Sequence, residues 1–525
     1  MRNIIKINWN EVDWKKIESR VFRIQRRIYK AKTDKKVTAV HYLQKKIIIG
    51  FQEKLMSIRE ASKINKFYWI KTIYINTSKK TIKIAYTSNL KKILILDSKT
   101  IKNLKKLLLT SEPTINQLIK NEAKQYLVKL ALEPEWASNF EIYSMGHNLG
   151  QSYQDTLEHI FSKLTLSKEY SFQRNLFEGF KNFNTARFIK KLNTIKIIKV
   201  QIEQWLEFNI LSFAERKLPF YTNLGLETGE KNFILPLLYD IAFSGLETYL
   251  TQFINDKIKN WSGEKKIKYF RYLNHILILS EDLNTLNQIV LICSCYLKNL
   301  GSYTHTKTSR ILQITSGIDF LGFHIIILKR KNQFQKKISI SKESKKFILA
   351  KTRFIIQKNK SVSSYILIKK LTPSILFWGK YFQYCECEKD FLQVDNRILN
   401  QLRAWVFRRK AAGKNRTFLK EKYFPSKKIF TYENIRHKDS WVLSGEKISS
   451  NNFRIRNFLL KLYWIKKKKY IAVKNNNSIY SGNYLYWSTR LRNLEHDQQL
   501  LLQKQFLLEG KIEIYNYFIK SKNRI

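Results

Sequence analysis

Acidic residues are scarce in this chain: 41 Asp and Glu stand against 97 Lys and Arg, leaving a net charge of +56 over 525 residues. So much charge of one sign repels itself in a compact state and calls for a polyanionic partner. Membrane surface, acidic protein and nucleic acid are the classes open at this point. Basic residues run the whole length and form no single juxtamembrane cluster, which favours nucleic acid. Coding bias in an AT-rich genome accounts for part of the lysine excess and for the low count of 6 Pro and 16 Gly. It does not account for the missing acids.

Cysteine is nearly absent too. The four present form two Cys-x-Cys pairs, Cys293/Cys295 and Cys385/Cys387, with no histidine close by. That spacing is not the Cys-x-x-Cys of a zinc knuckle, so buried or incidental thiols outweigh a metal site. A reducing compartment is the default. No apolar run approaches the ~18 residues that span a bilayer, and no membrane partner is expected. The opening MRNIIKINWNEVDWKKIE has acids in its first turns and no apolar stretch, so it reads as neither a signal nor a transit peptide. This fits a protein made where it acts, in an organelle with its own genome.

What is present is enough to fold. At 44% hydrophobic and 14% aromatic residues, the chain supports two to four domains with sizeable cores. Residues 13–31 place Trp14, Ile17, Val21, Ile24 and Ile28 at helical spacing. Between them lies a basic face of Lys15, Lys16, Arg20, Arg23, Arg26 and Arg27, either a solvated face or a surface for RNA. Residues 67–86 read as a hairpin around Asn76–Lys80. From about 126 to 330 helices alternate with short strands, with helices over 151–164 and 185–209 and strands over Tyr269–Leu279 and Asp319–Ile326. Residues 327–360, rich in Lys, Ser and Gln, read as an exposed connection. Two amphipathic helices follow. Ile368, Leu371, Ile375, Trp378 and Phe382 form the first stripe, in which Pro373 should start or kink the helix. Val394, Ile398, Leu402 and Trp405 form the second, whose other face carries Arg397, Arg403, Arg408, Arg409 and Lys410.

Six blocks, in order, resemble the group II intron maturase and reverse-transcriptase family. RIQRRIYKA followed by HYLQKKII is similar to its N-terminal extension. ALEPEWASNFEIYSMGHNLGQS resembles ALEPEWEA.FE..SYGFRPGRS, and ILPLLYDIAFSGLE the palm block SPLLANIALHGLE. KTSRILQITSGIDFLGFHI is similar to the block ending FDFLGF. LTPSILFWGKYF with LNQLRAWVFRRK looks like the maturase-specific thumb, and SIYSGNYLYWSTR like SPYDG..YW..R. A narrower resemblance is to the ribosomal-operon-associated, maturase-like proteins of euglenoid plastids.

The resemblance implies an α+β, right-hand fold of fingers, palm and thumb. A basic extension covers 1–60, a degenerate fingers and palm domain 61–330, a linker 331–360, a thumb 361–464 and a basic tail 465–525. Polymerisation by two Mg²⁺ needs carboxylates around both ions. The family supplies one Asp from DIxxxFD and two from YADD. Here FRYLNHILIL puts Asn274 and His275 in place of both hairpin Asp residues, and EGFKNFN puts Glu178 in place of the first. Asn offers only a neutral carbonyl, and His a nitrogen that suits Mg²⁺ poorly. Glu230, Lys231 and Asn232 replace the Gln-Gly-Gly of the template loop, and HNLG replaces FRPG. After Cys387 there is no cysteine, and only His437 and His496 remain, too few ligands for a metal-dependent nuclease. The expectation is an RNA-binding protein that needs no cofactor or metal, is not an enzyme, and assists splicing by holding group II intron RNA in its active fold. A non-splicing role on ribosomal or other organellar transcripts is the alternative, and an active reverse transcriptase the remote one. Trp487, Tyr484 and Tyr486 either stack on bases or form a packed cluster.

Overall fold

The computed structural model describes residues 4–64, 70–76, 81–86, 115–141, 144–145, 151–165, 169–176, 183–207, 233–258, 267–301, 310–330, 333–409, 415–448, 454–474, 477–494, 499 and 503. They form a mixed α+β protein.

The expected N-terminal helix is α1 (Trp14–Thr33), capped by the Asp13 carboxylate, which accepts from the Lys16 N–H at 3.0 Å. Ile17, Val21, Ile24 and Ile28 are buried as their spacing requires. They pack against α2 (Val37–Ile49), α3 (Phe51–Ile64) and α4 (Ile115–Ala137). Buried polar contacts fix that packing, as low-dielectric networks do when every member finds a partner. Glu135, from the ALEPEW block, accepts from Lys32 at 2.7 Å and from Gln44 at 2.6 Å. The hairpin expected over 67–86 is present as β2 (Ile70–Asn76) and β3 (Thr81–Tyr86), with β1 (Ile4–Asn8) added antiparallel to β2.

The second sheet carries the order β4-β6-β7-β5-β8, from β4 (Ser144–Met145), β5 (Tyr170–Asn175), β6 (Lys268–Tyr272), β7 (His275–Ser280) and β8 (Arg310–Gln313). Alternate residues of a strand face opposite sides. Ile276 and Ile278 therefore join the core shared with the N-terminal helices, while Leu277 and Leu279 join the core shared with the C-terminal half. The sheet is the wall between two cores.

Three of the expected elements are divided at left-handed residues. The run Tyr269–Leu279 turns at Leu273 (φ 51), that of 185–209 breaks at Asn193 (φ 38), and that of 319–326 turns at Leu321 and Gly322 (φ 51 and 85). The products are the β6–β7 hairpin, the helices α6 (Thr185–Leu192) and α7 (Lys196–Glu207), and the strands β9 (Ile318–Phe320) and β10 (Phe323–Arg330). Period alone does not register a single residue of positive φ when that residue is not glycine. The helix expected at 151–164 is present as α5 (Tyr153–Lys163). Helices α8 (Leu235–Phe243), α9 (Leu246–Ile258) and α10 (Leu283–Asn299) complete this half.

The linker expected at 331–360 is corrected. Apart from residues 331–332, which lie outside the described set, it forms β11 (Gln333–Ile340), paired with all of β10, and α11 (Lys342–Lys358), capped by Ser341. Ile348, Thr352 and Ile356 are its buried stripe; the many lysines are its solvent face. Helix α12 (Ser364–Phe382) runs through Pro373 without stopping there, and α13 (Glu388–Phe407) buries Val394, Ile398, Leu402 and Trp405 as expected. Helix α14 (Arg416–Tyr423) and two short hairpins follow. Trp405→Ala, which also removes the indole N–H bonded to the Asn359 carbonyl at 3.0 Å, is expected to cost about 3–5 kcal/mol in urea unfolding.

Asp395 of α13 accepts from the backbone N–H groups of Leu462 (3.0 Å) and Tyr463 (2.9 Å). Burial outweighs those bonds and pushes its pKa up to about 6. A carboxyl raised in the folded state holds its proton where the unfolded chain has lost it, so this group favours folding below about pH 4 and opposes it above about pH 6. The stability of Asp395→Asn, measured against wild type, should therefore rise by about 3 kcal/mol between those limits.

The C-terminal segment returns to the start of the chain. Tyr480, Trp487 and Leu491, the last two on α15 (Tyr484–Asn493), pack with Phe22 of α1 and Ala137 of α4. The Arg26 guanidinium donates to the Tyr484 hydroxyl and lies 4.5 Å from its ring centre. Asp155 of α5, wholly buried, accepts from Val473 N–H (2.7 Å), Ser152 N–H (2.7 Å) and Tyr470 O–H (2.8 Å), with Arg490 at 3.9 Å.

Candidate nucleic-acid interface

The place where a polymerase would hold its metals is the β6–β7 turn. Asn274 is 5% exposed, and its carbonyl accepts from the Leu176 N–H at 2.7 Å. His275 begins β7 opposite Tyr272. Burial pushes its pKa down to about 4, so at neutral pH it is an uncharged imidazole. On the other side of β7, the residue paired with His275 is Asn175, three positions before Glu178. Glu178 itself lies outside the described residues, as do 230–232 and HNLG at 147–150. Asp240 of α8, where the family has Asn, is held by Arg271 of β6 at 2.7 Å in a fully buried pair. Asp282 caps α10 through the Thr285 N–H. Among the described residues no group of three or more His, Cys, Asp or Glu is placed to hold a metal ion. Cys293, Cys385 and Cys387 are buried and Cys295 is exposed.

The basic residues singled out on α1 divide. Lys15, Arg20, Arg23 and Arg27 face solvent, Arg20 within 3.8 Å of Glu53. Arg26 does not, because Tyr484 takes it. Trp487 is buried and Tyr484 and Tyr486 are packed around it, which makes them a hydrophobic cluster in place of a stacking platform.

On α13, Arg397, Arg403 and Arg408 are exposed. Their directions differ: Arg397 and Arg408 are eleven residues apart, about three turns, and so share a stripe. Arg403 leans the other way, 4.6 Å from the ring centre of Trp441. Arg409 lies 3.6 Å from the Trp405 ring centre and donates to the carbonyls of Lys360 and Val362, clasping the loop between α11 and α12. Lys410 lies outside the described residues.

Arg408 and Arg409 border a groove of about 510 Å³ between α11 and α13. Arg353, Gln357 and Lys360 come from the α11 side, Asn400, Gln401 and Arg408 from α13, with Ile356 and Trp405 as its apolar floor. Four cations and three amides line it, and no carboxylate does. Gln401 is held in place by donating to the Leu349 carbonyl and accepting from the Thr352 hydroxyl. Guanidinium groups grip phosphate bidentately and amides bridge sugars and base edges, so the lining suits a polynucleotide backbone. Arg353, Gln357 and Lys360 were missed in the sequence because they lie in or beside the stretch read as a linker. The signal was there in the four-residue spacing of Ile348, Thr352 and Ile356.

Two family models match the chain: the N-terminal domain of reverse transcriptase over residues 9–90, and the group II intron, maturase-specific domain over residues 345–424. The groove lies inside the second. Two curated relatives are each called maturase-like protein 1. That of Euglena longa is 23% identical over 489 residues, covering 86% of this chain and 93% of the relative. That of Euglena gracilis is 24% identical over 386 residues, covering 71% and 77%. Among solved structures, telomerase from Candida albicans in complex with a telomeric RNA fragment aligns over 62% of this chain and 60% of its own, at 12% identity and a TM-score of 0.27, too low to define a shared fold. The chain is thus similar along most of its length to proteins called maturase-like, and it carries matches to a reverse-transcriptase N-terminal domain and to a group II intron maturase-specific domain.

Proposed function

We propose that this chain binds group II intron RNA and stabilises its folded, splicing-competent form, without reverse-transcriptase activity, in a plastid. The observation that carries the reading is the carboxylate-free groove between α11 and α13, set within the maturase-specific match. The solvent-facing Lys15, Arg20, Arg23 and Arg27 of α1 extend the basic surface at the other end of the chain. In this reading the sheet with its β6–β7 hairpin is a palm, residues 1–60 a basic extension, and the thumb begins near residue 342, earlier than the 361 expected from sequence. Such a surface binds by neutralising phosphates and releasing counterions, so affinity should fall steeply with salt.

Immunoprecipitation from the organelle with sequencing of bound RNA tests the function. Intron-containing precursors should dominate; enrichment of ribosomal or intronless transcripts instead would replace the splicing role with the non-splicing alternative. Primer extension on an RNA template tests the loss of catalysis. No product is expected with Mg²⁺ or Mn²⁺, since Asn274 and His275 stand where the family's hairpin has its two Asp residues. Synthesis that disappears on Glu178→Ala would overturn that.

A further inference from the structure

A second basic cavity, of about 540 Å³, opens on the helical side of the palm sheet, away from the groove. Arg187, Lys190 and Lys191 of α6 line one side, Thr248, Tyr249 and Gln252 of α9 the other, and Tyr296 of α10 closes the floor. The floor is fixed. The Lys191 ammonium donates to the carbonyls of Ala242 (2.9 Å) and Ser244 at the end of α8, and the Tyr296 hydroxyl donates to Ser244 at 2.9 Å. The rim is open: Arg187 and Lys190 face solvent and Tyr249 is 41% exposed. Its ring lies 5.6 Å from that of Tyr296, tilted by 45°, leaving a face uncovered. At Gly245 (φ 83) a side chain would meet only the Tyr296 hydroxyl, at 3.9 Å, so the backbone leaves the entrance clear. Glu141 is the acid nearby, and it accepts from the Thr248 N–H and hydroxyl at 2.8 and 2.7 Å. Burial, with Arg271 and Arg187 close, pulls the Lys191 pKa down to about 8, as expected where cations outnumber their counterions.

We infer that this cavity takes one nucleoside 5′-phosphate unit, supplied by an unpaired nucleotide turned out of the bound RNA. Arg187 and Lys190 hold the phosphate and the base lies against Tyr249. Cations at the rim suit phosphate, and a stacked aromatic ring accepts any base. The inference rests on the RNA-binding function proposed above and adds a position and a ligand to it. It requires no strand chemistry, only binding.

The test uses the full chain and a short single-stranded RNA carrying 4-thiouridine, crosslinked by light and mapped by mass spectrometry. Crosslinks are expected on the α9 peptide containing Tyr249 and, separately, on peptides of α11 and α13. Arg187→Gln with Lys190→Gln should lower the α9 crosslink about tenfold, within what one stacked nucleotide contributes, while the α11 and α13 crosslinks persist. Tyr249→Phe should keep the α9 crosslink and Tyr249→Leu should lose it; all three positions are exposed, so folding is not at stake. Excess AMP is the second arm: loss of the α9 crosslink alone identifies a free mononucleotide as the source, and its persistence identifies RNA. RNA crosslinked at α11 and α13 but not at α9 overturns the inference and leaves the proposed function standing. Absence of any RNA crosslink overturns both.

Discussion

Arg353→Gln, Lys360→Gln and Arg408→Gln, made together, are expected to weaken RNA binding by on the order of ten- to a hundredfold and to flatten its salt dependence. If each of the three neutralises one phosphate, the slope of log K against log[salt] loses roughly two to three units, at about 0.7–0.9 per contact. The loss should be similar for all RNA sequences, because phosphate contacts set position and not base identity. Folding should be unaffected: the charges stand at the border of the groove, while the α11–α13 contact is carried by Ile348, Ile356, Ile398 and Leu402. Arg409 is left in place, since its bonds to Lys360 and Val362 give it a structural role. Filter binding across a salt series reads both quantities. Wild-type affinity with an unchanged slope would leave the groove without a part in binding and transfer the interface to α1.

An effect on stability as large as that of Trp405→Ala should come from Asp155→Ala. The carboxylate is fully buried and gathers four groups from two distant parts of the chain: Ser152 N–H, Tyr470 O–H, Val473 N–H and Arg490. Removing it strands the Ser152 and Val473 N–H groups and takes the carboxylate from Tyr470, which keeps Ser152 Oγ at 3.0 Å, and from Arg490, which keeps the carbonyls of Ile471 and Ala472. Breaking a buried charge contact in this way costs on the order of 3–5 kcal/mol. Burial holds the Asp155 pKa above the ordinary carboxylate value, with Arg490 the main opposing influence. The folded state therefore binds this proton more readily than the unfolded chain, and mild acid should not release the contact. Asp155→Asn, which keeps one acceptor and one donor in the same space, should lose less. A urea midpoint within about 1 kcal/mol of wild type for the Ala variant would show that the segment around Val473 is held by its apolar contacts alone.

Much of this architecture was readable in the residues. The buried stripes of α1 and α13 are long and strongly periodic, and period is the signal that packing obeys. The α2–α4 bundle is present where the extension and the ALEPEW block resemble the family. Left-handed turns at Leu273 and Leu321 were not legible, because nothing in a leucine side chain announces positive φ, whereas Asn193 is of a type enriched there and was passed over. The linker at 331–360 was misread for a different reason: lysine-rich surface looks like a connection until the buried Ile348, Thr352 and Ile356 are lined up.

The site was legible in outline only. Helix α13 was identified as basic on one face, yet that face divides among the groove beside α11, a tryptophan contact at Arg403 and a loop clasp at Arg409. Which way a cation leans depends on what lies beside it in space. Arg26 makes the same point, since its partner Tyr484 is 458 residues away.

That long-range closure bears on how the protein is made. Phe22 and Arg26 emerge from the ribosome well before the tyrosines and tryptophan that cover them, Tyr484 following Arg26 by 458 residues. At about 5–20 residues per second, the interval is roughly half a minute to a minute and a half. Throughout it the outer face of α1 presents an uncovered aromatic and an unsatisfied arginine on a nascent chain rich in positive charge. Nascent chains of this protein should accordingly be clients of holding chaperones, and a premature stop before Tyr480 should leave that face open and the product prone to aggregation.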